Sequence, residues 1–234
     1  MTRSLLTLAL STLVLGTAAC GGDDSGTGPD ETPTPFETPT GAVYQLPAGV
    51  AVQGKIVGVG GDDGNGGGAC APEQSIGAAP GFVDVCLTLT NSTTSAITVT
   101  LPGELIFISK SSATQNGALV VAQTIVVPAG GTTLVTVSLH CVNAHRDPAG
   151  PADEYTIGPV SNHAGLREIV TLVQGKQLDA EGAMQVQLAV WEVSDEGGLT
   201  AETRQALRDL PAGSATAAVR ATRSAPLTKR VLRG

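Results

Sequence analysis

The sequence predicts a mainly β protein, an immunoglobulin-like antiparallel β-sandwich with a small helical region on its C-terminal side. Three observations carry this expectation. Between Val43 and Val142, short runs rich in Val, Ile, Leu and Thr recur with turn residues every eight to twelve positions. Within Phe82 to Thr90, Val83, Val85, Leu87 and Leu89 face one way, and Asp84, Cys86, Thr88 and Thr90 the other. After Pro151 the apolar period lengthens, and Leu166, Ile169, Val170 and Val173 recur at helical spacing.

The elements follow in chain order. Thr2 and Arg3 lead into a mainly apolar run from Leu5 to Leu15, which ends at Thr17-Ala18-Ala19-Cys20. A charged start, a short apolar core and a small-residue exit describe a secretory signal over residues 1–19, too short to span a bilayer as a helix. Its exit resembles the lipobox of bacterial lipoproteins, with Thr17 where that family prefers Leu. The resemblance implies that Cys20 is diacylated, becomes the new N-terminus and anchors the chain to a membrane of the cell envelope. Thr17 and Ala19 also suit an ordinary signal peptidase, which would leave Cys20 without lipid. Residues 20–42 are rich in Gly, Pro, Thr and acids with Phe36 the one aromatic, so they read as a disordered tether.

Residues 43–146 read as the sandwich. Its strands are Val50 to Val57, Phe82 to Thr90, Ala96 to Leu101, Glu104 to Ile108, Ala118 to Val127 and Thr132 to Val142. The glycine-rich 60–68 reads as a loop, and Asn91 to Ser95 and Pro128 to Gly131 as turns. Residues 147–211 read as helices packed on the sandwich. Ser161 or Asn162 caps the first helix, and the second spans Met184 to Val193 with Met184, Leu188 and Trp191 on its stripe. Thr200 caps a third that runs to about Asp209. Val186, Leu188 and Val190 also alternate as a strand would. Residues 212–234 form a basic tail.

Of the 234 residues only 3% are aromatic, so the core must be aliphatic, and the formal net charge of -8 argues against a nucleic-acid partner. Asp23, Asp24, Asp30, Glu31 and Glu37 crowd residues 21–40, whereas Arg220, Arg223, Lys229, Arg230 and Arg233 crowd the tail. These are solvated tails in the plain reading. A basic tail touching anionic lipid is the alternative, with each cation worth about 1 kcal/mol near such a surface.

With Cys20 lipidated, three cysteines remain. Strand phase sets Cys86 opposite Val85 and Leu87, whereas Cys141 shares the phase of Val135, Val137 and Leu139, so a Cys86–Cys141 bridge is disfavoured. A local Cys70–Cys86 disulfide is preferred, which leaves Cys141 as the odd thiol. His140-Cys141-Val142-Asn143 at a strand end, followed by Gln187-Leu188-Ala189-Val190-Trp191, resembles the thioester domains of bacterial surface adhesins. Val186 stands where that family carries Thr, and the interval from Cys141 to Gln187 is short for it. The resemblance covers about residues 138–199 and implies that Cys141 supplies a sulfur and Gln187 an acyl carbon. Without such a bond, Cys141 behaves as a small buried hydrophobe and Gln187 as a helix-surface amide.

Other constellations are weaker. Asp62-Asp63-Gly64-Asn65 lacks the carboxylate spacing of an EF-hand. His140, His145 and Arg146 near Asp147, Asp153 and Glu154 offer no third well-placed zinc ligand. No G-x-S-x-G or phosphate loop occurs, so neither catalytic residues nor cofactors are assigned. The expectation is a lipid-anchored extracytoplasmic module, not an enzyme, that binds an unknown protein or glycan ligand. Covalent attachment through a Cys141–Gln187 thioester is the alternative.

Overall fold

The computed structural model describes residues 36–59, 75–77 and 81–213. Cys20, Cys70, the Asp62–Asn65 loop, the signal and nearly all of the basic tail lie outside these residues. Among the described residues eleven strands precede three helices: β1 (Gly41–Val43), β2 (Val50–Val52), β3 (Ile56–Gly58), β4 (Ser75–Gly77), β5 (Val83–Asn91), β6 (Ile97–Leu101), β7 (Leu105–Ser109), β8 (Gly117–Ala118), β9 (Gln123–Val127), β10 (Thr132–Cys141) and β11 (Glu154–Ser161), then α1 (Ala164–Val173), α2 (Ala180–Ser194) and α3 (Ala201–Asp209).

The chain is mainly β, but the expected immunoglobulin-like sandwich is not what forms. Pairing runs β5–β3–β11–β7–β8–β10 and returns to β5, every step antiparallel, which closes a six-stranded barrel. The strand that closes it is β11, which pairs with β3 on one edge and β7 on the other. It lies in the stretch read as the start of the helical region, because Gly158-Pro159 interrupts its pattern. That interruption is structural: the β11–β7 register shifts between Ile157 and Val160, a bulge of the kind that bends barrel strands. A Cβ on Gly158 would lie 2.9 Å from the Ile106 carbonyl oxygen, so close strand contact requires glycine there.

Strand phase then decides what is inside. Val83, Val85, Leu87 and Leu89 of β5 and Val135, Val137, Leu139 and Cys141 of β10 all join one buried core with Leu105, Phe107 and Tyr155. The segment Ala118 to Val127, read as one strand, is two: β8 belongs to the barrel and β9 pairs with β6 in a separate ribbon. Val99, Leu101, Ile125 and Val127 of that ribbon nevertheless enter the barrel core. The expected strand from Val50 to Val57 is likewise broken, at Gly54, whose φ is +73°.

A second core lies outside the barrel. Ile106, Ala118, Val120 and Val142 project from it against Leu166, Ile169 and Val173 of α1 and Val186, Ala189, Val190 and Val193 of α2. Phe36 is 1% exposed within this core, so the last residues of the stretch read as a disordered tether are docked. β1 then pairs with β11. Asp179 caps α2 by accepting from Gly182 N–H, and Thr200 caps α3 by accepting from Thr203 N–H. The N-cap of α1 is His163, while the Ser161 hydroxyl accepts His163 N–H at 3.1 Å. The expected α2 stripe is displaced: Leu188 is 51% exposed, and Val186, Gln187 and Val190 are buried instead.

Leu87 and Leu188 therefore separate core from surface. Leu87→Ala should cost about 3 kcal/mol in urea unfolding, by lost burial and cavity formation. Leu188→Ala should change stability by less than about 0.5 kcal/mol.

Candidate functional site

The β5–β10 ladder ends where Phe82 N–H donates to Leu139 C=O at 3.0 Å. Alternate residues of a strand turn their backbone polar groups to the same edge, so Cys141 is the next residue of β10 to address that edge. No strand meets it there. Instead, Cys141 N–H donates to Gln187 Oε1 at 2.9 Å, and Gln187 Nε2 donates to Cys141 C=O at 2.8 Å. The carboxamide thus acts as one rung of an antiparallel ladder, supplied by a helix.

Both residues are 0% exposed. Gln187 can reach the strand because Asp179 starts α2 at a defined turn and Val186, Ala189 and Val190 seat it on the barrel. Cys141 is a buried thiol whose side chain belongs to the barrel core. On its other edge it registers with Gly117, where a Cβ would lie 2.6 Å from the Leu139 side chain. The structure brings together the two residues that sequence analysis paired and places Gln187 in the interior, not on the helix surface.

The neighbouring loops are held by asparagines. Asn143 Oδ1 accepts Asn116 N–H at 3.3 Å, and Asn116 C=O accepts Val142 N–H at 3.2 Å. Asn116 Nδ2 donates to Phe36 C=O at 2.8 Å, which fastens the docked N-terminal segment beside the strand end. Beyond that, Glu37 meets His145 at 3.3 Å and Arg146 at 3.8 Å.

Around the pair lies a buried polar set that sequence analysis did not assemble. His140 is 1% exposed, stacks on Phe82 with centroids 5.8 Å apart, and has neither ring nitrogen in a hydrogen bond. Burial pushes its pKa down to about 4, opposed by the Gln187 carboxamide beside it, so it is neutral at pH 7. Both side-chain amide atoms of Gln115 and the Trp191 Nε1–H are also buried without a hydrogen-bond partner. Tyr155 donates to Gln115 C=O at 3.0 Å, and desolvation chiefly raises its pKa, with the Asp153 and Cys141 charges adding. Trp191 was legible as part of the apolar stripe of α2, whereas nothing in the sequence marks His140 as buried.

Cys86 is disulfide-bonded and 5% exposed, in register with Thr136 and so out of phase with Cys141. Its expected partner, Cys70, lies outside the described residues. His140, His145 and Glu154 do not converge: His145 sits between Glu37 and Asp195, and Glu154 between Lys55 and Lys110. Among the described residues no group of three His, Cys, Asp or Glu could hold a metal ion. No protein-family model, curated protein or solved structure matches the chain.

Two expectations follow. In a Cys141→Ala background, Gln187→Leu should cost about 2–4 kcal/mol by urea unfolding, because it orphans a buried N–H and C=O while the backbone stays in place. The second concerns pH. The folded pKa of His140 is depressed from 6.5 to about 4, so its contribution is present above pH 6.5 and lost as pH falls toward 4. Stability should fall through that window by up to about 1.4 kcal/mol per pH unit. His140→Gln should flatten this part of the curve.

Proposed function

We propose that this chain is an extracytoplasmic attachment module, lipid-anchored through Cys20, that couples covalently to an amine-bearing partner through a Cys141–Gln187 thioester. The observation that supports this reading is the carboxamide of Gln187 paired on both sides with the backbone of Cys141 in a buried seam. Bond formation would join Cys141 Sγ to Gln187 Cδ and release Nε2 as ammonia. A partner's amine would then add to Cδ and expel the Cys141 thiolate, leaving a substituted amide on Gln187 and a thiol. Cys141 N–H already holds Oε1, and the same donor would stabilise the oxyanion of the tetrahedral intermediate. Burial at the seam would shield the ester from water.

A plain, reversible binding module has its own supporting feature. A surface groove of about 300 Å³ is lined by Val52, Ile56 and Ile157 beside Lys55, Lys110 and Glu154. Hydrogen bonds from Lys55 and then Lys110 hold the Glu154 carboxyl below its usual pKa. A polar ligand could exchange with these exposed pairs.

Intact mass of the detergent-solubilised full chain, corrected for processing and disulfides, separates the two readings. The thioester reading expects a deficit of about 17 Da from ammonia loss, abolished by Cys141→Ala, with methylamine adding at Gln187. A mass equal to the corrected chain and unmoved by amine would retire the thioester and leave reversible binding.

A further inference from the structure

We infer that the groove beside Lys55 and Lys110 is a gap in the barrel wall that takes an extended acidic peptide. The peptide forms one backbone rung at Ile157 and sets a carboxylate on the two lysines. The inference rests on the reversible-binding reading of this groove and owes nothing to the thioester. Backbone direction carries it first. Lys110 N–H donates to Glu154 C=O at 2.8 Å, so Glu154 and Thr156 turn their backbone groups toward β7. Tyr155 and Ile157 turn theirs toward the opposite edge, where Gly58 N–H meets Asp153 C=O at 2.9 Å. Tyr155 registers there with Ile56 of β3. The next rung would join Ile157 to Gly54, but Gly54, at φ +73°, lies outside β3. On the same edge β1 begins only at Pro159. Among the described residues no strand therefore pairs with Ile157 on this side, and an open strand edge is a template for another chain.

The surroundings of the gap define the partner. It opens into the groove of about 300 Å³, whose walls include Val52, Ile56 and Ile157. All three belong to or pack against the barrel core, so the floor is apolar and fixed. Lys55 and Lys110, both exposed, approach from different strands and share the single carboxylate of Glu154. Asp153, next to Glu154 in the chain, is engaged elsewhere, accepting from the Thr114 hydroxyl at 2.9 Å and Gly150 N–H at 2.8 Å. Two ammonium groups thus face one carboxylate, and the excess positive charge selects an acidic partner. Glu154 lies three residues from Ile157, about 10 Å along the strand. An acidic side chain on the residue after the rung therefore reaches the lysines, where it joins or displaces the Glu154 carboxylate. Main-chain pairing supplies affinity in such a slot, while the floor and the charges supply specificity.

The test titrates the detergent-solubilised full chain, with isotope-labelled isoleucine, with the acetylated peptide amide Val-Thr-Val-Glu and follows the Ile56 and Ile157 amide resonances. Both are expected to shift saturably. Replacing the peptide's Glu by Gln should weaken binding about fivefold, the span of an exposed ion pair. N-methylation of its second Val, which removes the rung's donor, should abolish the Ile157 shift. Lys55→Gln with Lys110→Gln, both at exposed positions, should erase the difference between the Glu and Gln peptides. Equal affinity of the two peptides for the unaltered chain would overturn the proposal and leave reversible binding at the groove standing. No shift with either peptide up to about 10 mM, weaker than any useful contact, would remove both. An Ile157 shift produced by Asp30→Asn with Glu31→Gln alone would assign the groove to the chain's own acidic segment and overturn an external partner.

Discussion

The organisation of this protein turns on a side-chain amide that takes the place of a missing strand. β10 is the longest strand of the barrel, and its last residue continues beyond the end of its neighbour β5. In a buried position an unpaired N–H and C=O would each cost about 1–3 kcal/mol. Gln187 removes both penalties at once, and only because α2 is pinned at the right height on the barrel wall. Helix placement, strand length and the setting of Cys141 are therefore one constraint. The carboxamide ties the barrel core to the helical core at a point where neither could satisfy the backbone alone.

How much of this was legible follows from the kinds of signal involved. The alternation in β5 was plain because a two-residue period with one face wholly apolar has a single solution. Closure of the barrel was not, since strand spacing is the same in a sandwich and a small barrel. The deciding strand, β11, carries Gly158 and Pro159, residues that ordinarily argue against a strand interior. Their presence marks a bulge, which only the pairing on both edges reveals.

On α2 the failure is instructive in another way. Hydrophobicity alone ranks Leu188 above Gln187 for burial, so the stripe was drawn through Leu188. The helix is rotated so that a polar residue enters the interior, which pairing with Cys141 permits. The Cys141–Gln187 pair was named from short motif resemblances, and sequence pattern could not have placed an amide 46 positions away on a strand edge. Phe36 shows the same limit at smaller scale: one aromatic in an acidic, proline-rich stretch is enough to dock it when a helix and a strand leave a socket.

The position of the pair between two cores also bears on how a buried bond could meet a partner. The barrel is closed by hydrogen bonds on every edge, whereas the helices are held to it mainly by side-chain packing. Local opening follows the weaker boundary, so the seam at Gln187 can part while the barrel stays intact. The docked segment at Phe36 and Glu37 lies across the loops beside that seam, tied by Asn116, His145 and Arg146. On the attachment reading, exposure of the acyl group is then set by how firmly the helices and this short segment sit. Substitutions in the second core, distant from Cys141 in sequence, would tune reactivity without touching the reacting atoms.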